Sequence, residues 1–369
     1  MSDFDSQTEI EHKQKCSNCR AFLVFSPGTE SLICAYCQTE NQIESSSQAV
    51  VELDLNDQLS QLENASERMI QHTVRCDACG AISTLDSSKT ADECPFCATP
   101  LVVNHAQDQE MIKPQALLPF ITDRNKANQL FMDWAGSRWF APNKLKRNAA
   151  DSAQKLVGIY LPHWTYDAFT ASDYTGERGE YYYTTETYTA TENGKSVTKT
   201  RQVRHTRWHN VSGHVDQAFD DVLICASHSL PSALTESLSP WDLEKLIPFD
   251  ASYLNGFKAE KYQIDLREGF ALAQTEMSEE IRVSVKHQIG GDEQRIHAVQ
   301  TDYNNLAYKY ILLPLWMSSY RYNDKVYRFA INARTGEVQG ERPYSVTKIA
   351  SLVMAILALI ALIYMMAHK

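Results

Sequence analysis

The 369-residue sequence predicts an α+β fold with mainly antiparallel strands, preceded by two small cysteine-rich modules and followed by one apolar helix. Three observations predict this arrangement. Paired CxxC motifs repeat near the N-terminus, strand-like segments rich in Tyr and Thr dominate the middle of the chain, and an uncharged apolar run ends it. Hydrophobic residues make up 43% and charged residues 22% of the chain, which excludes wholesale disorder and a polytopic membrane protein.

The net charge of −11 is unevenly distributed along the chain. Residues 1–104 contain 6 Lys/Arg against 16 Asp/Glu, a difference of −10, whereas residues 105–369 contain 29 against 30. Neutralisation of phosphates by Lys and Arg supplies most of the non-specific affinity for nucleic acid. The excess of acid therefore argues against nucleic-acid binding by the N-terminal part.

Eight of the nine cysteines form two groups with identical spacing. In each group 14 residues separate two CxxC pairs, and the groups are offset by 60 residues. The first group is Cys16, Cys19, Cys34 and Cys37, and the second is Cys76, Cys79, Cys94 and Cys97. Two CxxC knuckles can present four thiolates as a closed tetrahedral cage, which favours structural zinc. Ala21 and Thr39 recur as Ala81 and Thr99 at the same offset, which indicates a duplicated module.

Disulfides and iron are the alternatives to zinc at these eight thiols. Disulfides need an oxidising compartment, but residues 1–10 lack the apolar core of a signal peptide. Iron can occupy the same tetrahedron, and the sequence does not separate the two metals. Each module is the size of a zinc ribbon and too small to fold without metal. We predict two structural zinc ions and no nucleotide, with Cys225 left as an inert core residue.

The patterning divides the chain into six segments. Val51, Leu55, Leu59, Leu62 and Met69 recur at helical spacing and predict an amphipathic helix packed on the protein itself or on a partner. The predicted segments are zinc ribbon 1 (1–45), the amphipathic helical linker (46–72), zinc ribbon 2 (73–103), a Pro-containing linker (104–120), the α+β domain (121–346) and a C-terminal transmembrane anchor (347–369).

Two helices are predicted inside the α+β domain. Thr122 or Asp123 is expected to cap the first helix, which places Ala127, Phe131 and Trp134 on one face. The second helix should run over residues 268–289 and end at Gly290, because glycine favours helix termination. Its predicted apolar face comprises Phe270, Met277, Ile281 and Val285.

A long β-hairpin is predicted around Asn193-Gly194, a strong turn signal between two strand-like runs. The expected cross-strand pairs are Glu192 with Lys195, Glu186 with Arg201, Tyr183 with Arg204 and Glu180 with Arg207. This pairing accounts for the basic run 195–207 without nucleic acid. Residues 161–164 and 313–316 share an LPxW pattern that leads into aromatic strands, which suggests a second, diverged internal duplication.

Residues 349–367 form a run of 19 residues without a charge. At about 1.5 Å per residue the run spans about 28 Å, enough to cross a hydrocarbon core. A helix that is apolar on every face is rarely a soluble core helix. With no signal peptide and eight thiols that need reducing conditions, we expect a single-pass, tail-anchored protein of the inner membrane, with its N-terminal bulk in the cytoplasm.

No catalytic constellation is recognised, and we predict that the protein is not an enzyme. Gly194-Lys195-Ser196 resembles the end of a phosphate-binding loop, but Thr189 stands where the leading glycine belongs. A deep pocket lined by His163, Asp167 or Cys225 would reopen the question.

Several motifs resemble those of a family of bacterial zinc-ribbon membrane proteins. They are the paired CxxC ribbons, Trp139–Leu145, Tyr160–Ala168, Tyr174–Tyr182 and Gly340–Ser345 before the C-terminal anchor. Members are often catalogued as TFIIB-type zinc-ribbon proteins or as relatives of the primosomal replication-restart helicase. The resemblance does not extend to helicase activity, because the chain has no nucleotide-binding loop. In some bacteria, members of this family resemble components of envelope-stress systems that recruit soluble partners to the membrane beside phage-shock-protein-like remodellers.

We therefore expect a membrane-anchored zinc-ribbon adaptor that recruits protein partners and contacts the lipid bilayer through residues 349–367. The alternative is a nucleic-acid-binding zinc-ribbon protein related to the replication-restart helicase, without an ATPase of its own.

Overall fold

The computed structural model describes residues 14–44, 49–61, 68–84, 92–101, 107–142, 155–192, 195–322 and 325–367. The strands in chain order are β1 (Leu23–Phe25), β2 (Ser31–Cys34), β3 (Glu40–Gln42), β4 (Leu53–Asp54), β5 (Arg68–Arg75), β6 (Ile82–Thr84), β7 (Asp92–Glu93), β8 (Pro100–Leu101), β9 (Gln107–Ile112), β10 (Ala116–Leu117), β11 (Val157–Glu192), β12 (Lys195–Cys225), β13 (Ile247–Pro248), β14 (Lys258–Ala259), β15 (Glu293–Tyr322), β16 (Lys325–Asn332) and β17 (Val338–Gly340). The α-helices are α1 (Leu55–Gln61), α2 (Arg124–Ser137), α3 (Ser232–Glu236), α4 (Leu266–Ile289) and α5 (Val346–Ala367), and short 3₁₀ turns cover Leu243–Lys245 and Ala251–Leu254.

The central sheet is mostly antiparallel, as the sequence predicts. Strand β11 pairs with β12 on one side and with β15 on the other, and β16 and β17 continue the sheet beyond β15. The short strands β10 and β14 pair in parallel with β15 and β11, respectively. Long strands that are neighbours in sequence can pair through a tight connection, which favours the antiparallel arrangement.

Strands β11 and β12 extend beyond the first residue of β15 as a two-stranded arm. The last β11 residue paired with β15 is Gly179, opposite Glu293. We call residues 180–192 and 195–207 the hairpin arm; at about 3.3 Å per residue its 13 residues in β11 span about 43 Å. The predicted register is confirmed, and Glu186 Oε2 forms an ion pair with Arg201 Nη2 at 3.1 Å. The Asn193–Gly194 turn itself lies outside the described residues.

Helix α4 packs along the central sheet as predicted, beginning two residues earlier. The Asp265 carboxylate accepts a hydrogen bond from the Glu268 amide (2.8 Å), and Gly290 ends the helix with φ of +64°. The buried face comprises Leu266, Gly269, Ala273, Met277, Ile281, Val285 and Ile289. Of the predicted face, only Phe270 is partly rather than fully buried.

Helix α2 is also confirmed. The Asp123 carboxylate accepts a hydrogen bond from the Lys126 amide (2.8 Å), which satisfies an unpaired amide of the first turn. Ala127 and Phe131 are buried, and the Phe131 ring stacks on Phe329 of β16 with 3.7 Å between ring centroids. This contact holds α2 against the far end of the sheet.

The two LPxW segments lie on neighbouring strands in the centre of the sheet and pair at their first residues. Leu161 of β11 lies opposite Leu313 of β15, so the motifs run antiparallel around this pair. Trp164 and Trp316, which end the motifs, are 0% and 5% exposed.

Each LPxW indole holds the start of one helix. Trp164 Nε1 donates to the Ile264 carbonyl (2.9 Å), and Trp316 Nε1 donates to the Thr122 carbonyl (2.7 Å). In both cases the next residue is the aspartate that caps the helix, α4 or α2. The recurrence of motif, hydrogen bond and cap supports the internal duplication suggested by the sequence.

The linker at 46–72 is not one helix, and that part of the prediction was wrong. Helix α1 covers only residues 55–61, β4 pairs with β15, and residues from 68 onward form β5, which pairs with β6 and β9. Leu55 is fully buried and Leu59 packs on the same core, so this short helix does pack on its own protein. Leu62 lies outside the described residues. Helical spacing does not reveal that a distant strand will satisfy the backbone of β5.

The predicted linker at 104–120 also contributes strands. Strand β9 pairs with β5, and β10 lies between β15 and β13 in the central sheet. Ala116 and Leu117 are completely buried there. These residues therefore connect the cysteine-rich part to the sheet through backbone pairing.

A pair of helical glycines tests the packing of α4. A Cβ at Gly269 would overlap the Tyr166 hydroxyl and the Trp164 ring, whereas a Cβ at Gly136 of α2 would meet nothing within 4 Å. We expect Gly269→Ala to destabilise the fold by about 1–3 kcal/mol through overpacking. Gly136→Ala should stabilise it by up to about 1 kcal/mol, because alanine has the higher helix propensity. Thermal unfolding of both variants checks this, and equal shifts would contradict the close approach of α4 to the sheet.

Candidate metal centres

All four CxxC pairs form the same tight turn. The amide of the residue after the second cysteine donates to the carbonyl of the first, as in Arg20 N to Cys16 O (2.9 Å) and Gly80 N to Cys76 O (2.8 Å). The residues in this position all have positive φ: Arg20 (62°), Gln38 (59°), Gly80 (77°) and Ala98 (54°). Glycine adopts this conformation without steric cost, and the other three residues accept some strain to close the turn.

The four sulfurs of each group lie within 4.8 Å of one another. The shortest Sγ–Sγ distances are 3.6 Å for Cys16–Cys37, 3.4 Å for Cys19–Cys34, 3.5 Å for Cys76–Cys97 and 3.6 Å for Cys79–Cys94. Four sulfurs at about 2.3 Å from a tetrahedrally bound ion would be about 3.8 Å apart. The eight cysteines are free of disulfides. Each predicted group is therefore assembled and fits one metal ion.

A threonine lies beside the last cysteine of each group. Thr39 Oγ1 is 3.1 Å from Cys37 Sγ, and Thr99 Oγ1 is 3.2 Å from Cys97 Sγ. The hydrogen bond from the Thr39 hydroxyl lowers the pKa of Cys37 to about 6. Because metals bind the thiolate, this neighbour favours the ligating form. The sequence showed that these threonines repeat, but only the structure shows their contact with sulfur.

The second cysteine module (residues 73–84 and 92–101) is docked on the central sheet. Phe96, between its last two cysteines, is completely buried, and Arg328 Nε of β16 donates to the Phe96 carbonyl (2.9 Å). The module shares one apolar cluster with sheet residues Ile159, Leu161, Leu315, Met317 and Ala330. Its metal cage is thus part of the packed core.

The first cysteine module (residues 14–44) is attached differently. The hairpin of β1 and β2 contacts segments next to the central sheet. The Gly28 amide donates to the Phe120 carbonyl (2.8 Å), and the ring centroids of Phe25 and Tyr253 lie 4.9 Å apart. Tyr36, equivalent to Phe96 at the offset of 60 residues, is 84% exposed. The same knuckle is buried in the second module and open to solvent in the first.

Glu260 is a buried carboxyl beside the second module that sequence reasoning missed. It forms a backbone bridge with Ser83, and its side chain is almost fully enclosed. Its Oε1 accepts hydrogen bonds from Ser229 Oγ and from Gln263 Nε2 (3.0 Å), while Oε2 has no partner among the described residues. Burial raises the pKa of Glu260 to about 8. Nothing in its sequence surroundings signals this burial.

His163, Asp167 and Cys225 do not line the cleft found among the described residues. His163 lies opposite Cys225 in the β11–β12 ladder; burial lowers the pKa of His163 to about 4 and raises that of Cys225 to about 12. The cleft has a volume of about 460 Å³ and lies where β11 runs between β12 and β15. Its lining residues are Thr175, Gly176, Asn210, Val211, Ser212 and His297.

Asp167 belongs to an acidic cluster with Glu52 and Asp220, whose oxygens lie within 4.8 Å of one another. The nearly buried Lys309 ammonium lies 2.9 Å from Glu52 Oε1 and 2.6 Å from Asp221 Oδ1. This cation balances part of the negative charge, so the cluster is explained as an ion-pair network at the bulge of β11.

These features define an α+β protein with two tetra-cysteine groups, each able to hold a metal ion, and one C-terminal helix that is long and apolar enough to cross a membrane. The chain is 26% identical over 343 residues to a Bacillus subtilis (strain 168) protein named "Uncharacterized protein YdjG", covering 91% of this chain and 92% of that protein. No model of a known family matches the chain, and no solved structure matches it.

Metal content distinguishes the ligands from the ninth cysteine. We expect the wild-type chain to bind two ions. The Cys37→Ser variant and the Cys97→Ser variant should each bind only one ion, because each substitution opens one cage. Cys97→Ser should also lower the unfolding temperature more, since Cys97 is buried whereas Cys37 is only partly buried. Cys225→Ser is the matched control and should keep both ions. Metal analysis by mass spectrometry checks this; a wild-type chain without metal would contradict both centres.

Glu260 predicts a pH dependence of stability. The ordinary pKa near 4.5 applies to the unfolded chain, whereas the folded value is about 8. Between these pH values the folded state binds more protons, so stability falls as pH rises through this window. Glu260→Gln keeps the shape and removes the titration, and should stabilise the protein at pH 8 by on the order of 1–3 kcal/mol.

Thermal unfolding of the metal-loaded chain from pH 5 to pH 8 measures this effect. Glu279→Gln, on the exposed side of α4, is the control and should follow the wild type. A variant at position 260 with the same pH dependence as wild type would contradict the buried, protonated carboxyl.

Proposed function

We propose that this protein is a membrane-anchored cytoplasmic adaptor that recruits protein partners to the inner membrane, with structural zinc in both modules. The observation that carries the proposal is the contrast between the last knuckles of the two modules. Both modules pack on the apolar core, but the knuckle with Phe96 is buried, whereas the equivalent knuckle with Tyr36 is exposed on a body joined to an apolar helix. An exposed, metal-stapled knuckle suits recognition because its backbone loses little freedom on binding.

Zinc is the ion we assign to the two cages. Each cage consists of four cysteine sulfurs and has no ligand position left for water or substrate. Such a closed thiolate site suits an ion that serves structure without redox change. Iron remains the alternative that metal analysis separates.

Helix α5 is the proposed anchor. Its 22 residues span about 33 Å at about 1.5 Å per residue, and no side chain of the described helix is buried against the rest of the protein. The eight thiols need a reducing compartment to bind metal, which supports a cytoplasmic position of the body. Confinement of both partners to one membrane surface would raise their effective concentration without new contacts.

The exposed knuckle of the first module is the proposed partner site. Tyr36 projects from it and Cys19 of the facing knuckle is also exposed, so an aromatic anchor stands on a rigid turn. A protein partner fits this surface better than nucleic acid, because the surrounding segment carries excess acid.

Nucleic-acid binding by the hairpin arm is the function we do not favour. Arg201 pairs with Glu186, the Arg204 guanidinium lies 4.2 Å from the Tyr181 ring centroid, and Arg207 lies over Tyr182. These contacts give the basic residues a local role in a two-stranded arm. Salt-sensitive binding of single- or double-stranded DNA in a filter assay at low salt would overturn this assignment. We also propose no catalytic role.

Photo-crosslinking in cells tests the adaptor function. The substitution Tyr36→p-benzoylphenylalanine should yield one discrete adduct with another protein in the membrane fraction, because the side chain projects into solvent at the proposed site. Tyr36→Ala should reduce copurification of that partner by about tenfold, as truncation of an aromatic hot spot does.

The control is Leu272→p-benzoylphenylalanine, an exposed position on α4 that should give no adduct. Extraction with alkaline carbonate reports on the anchor in the same cells. Release of the chain into the soluble fraction, or the same adducts from both positions, would contradict the proposal.

A further inference from the structure

We propose that the loop at residues 138–142 is a second membrane contact, which inserts Trp139 among the headgroups of an anionic bilayer and holds the body against the membrane. This inference rests on the proposed function, since it requires α5 to be inserted. It assigns the loop to the lipid surface and not to a protein partner.

The loop is fastened to the start of the anchor helix. Lys348 Nζ, in the first turn of α5, donates to the Trp139 carbonyl (3.2 Å) and to the Ala141 carbonyl (2.8 Å). The Ser345 amide donates to the Phe140 carbonyl (2.8 Å), so three consecutive loop carbonyls are held by the segment that enters the helix. Loop and helix start therefore form one corner.

The position of this corner places Trp139 at headgroup depth. Lys348 directly precedes Ile349, the first residue of the uncharged run. Its ammonium reaches the loop, so the Trp139 backbone lies within one lysine side-chain length of the start of the hydrocarbon-spanning part. The headgroup layer is about 5–7 Å thick on each side of the hydrocarbon core, which matches this distance.

The side chains at the corner suit an interface between water and lipid. Trp139 is 74% exposed, Tyr344 is 59% exposed and Val346 is 79% exposed. A single exposed aromatic residue is common on soluble proteins, but Trp139 and Tyr344 flank a helix able to cross a membrane, and Val346 is its first residue. Trp and Tyr prefer the headgroup level because one end of the ring is apolar and the other can hydrogen bond.

Charge at the corner selects anionic lipid. The described residues 138–142 and 341–348 carry Arg138, Arg342 and Lys348 against Glu341, a net charge of +2 in a chain of −11. The Arg342 guanidinium lies 5.3 Å from the Tyr344 ring centroid, so a basic and an aromatic side chain lie together at this corner. Basic residues beside a membrane-spanning segment are attracted to anionic headgroups.

Quenching of tryptophan emission by brominated lipid chains tests the inference in the full-length, metal-loaded protein. The chain is reconstituted in vesicles of phosphatidylcholine and phosphatidylglycerol, with and without bromine near the headgroup end of the acyl chains. The contribution of Trp139 is the difference in emission between the wild type and Trp139→Phe. Brominated lipid should reduce this difference at least about two-fold, because the indole lies at the interface. The emission that Trp208→Phe removes should be unchanged, since Trp208 lies at the base of the hairpin arm.

The outcomes separate this inference from the anchor itself. Unquenched Trp139 emission in a chain that resists carbonate extraction would overturn the inference and leave the anchor intact. A chain that carbonate extracts would overturn both. Equal quenching in vesicles of phosphatidylcholine alone would overturn the preference for anionic lipid, and loss of quenching in Arg138→Gln/Arg342→Gln would support it.

Discussion

The antiparallel pairing of β11 with β15 around Leu161 and Leu313 is the constraint on which the rest of the structure depends. The indoles that end the two motifs donate to the carbonyls just before the caps of α4 and α2. The short strands β10 and β14 pair with the same two long strands. A shift of one residue in this register would move the side chains of one strand to the opposite face of the sheet and separate its indole from the helix that it holds.

The cysteine modules show how a small unit gains stability in two ways. Neither module contains enough apolar area for a core of its own, so we expect each to depend on a bound metal ion. The second module adds burial of Phe96 among sheet residues, whereas the first uses its hairpin and leaves Tyr36 in solvent. One duplicated unit thus provides a structural support in one copy and a free surface in the other.

The charge state of a buried polar group depends on the partners within hydrogen-bond or ion-pair distance. Lys309 is buried but has two carboxylates within ion-pair distance, so its charge is compensated. Glu260 has only hydroxyl and amide neighbours for one oxygen, so the neutral carboxyl is the stable form near neutral pH. At the C-terminal corner, Lys348 reaches backbone carbonyls and so joins a loop to the apolar helix.

The sequence by itself determined the features that depend on neighbours along the chain. The two cysteine groups follow from CxxC spacing, the cap at Asp123 from a local hydrogen bond, and the hairpin register from pairing that starts at one turn. Only the tertiary structure decided which of the equivalent residues Tyr36 and Phe96 is buried. It also decided that part of the linker at 46–72 forms a strand. These outcomes depend on contacts with residues far away in sequence, such as Arg328 for Phe96, and no local pattern carries that information.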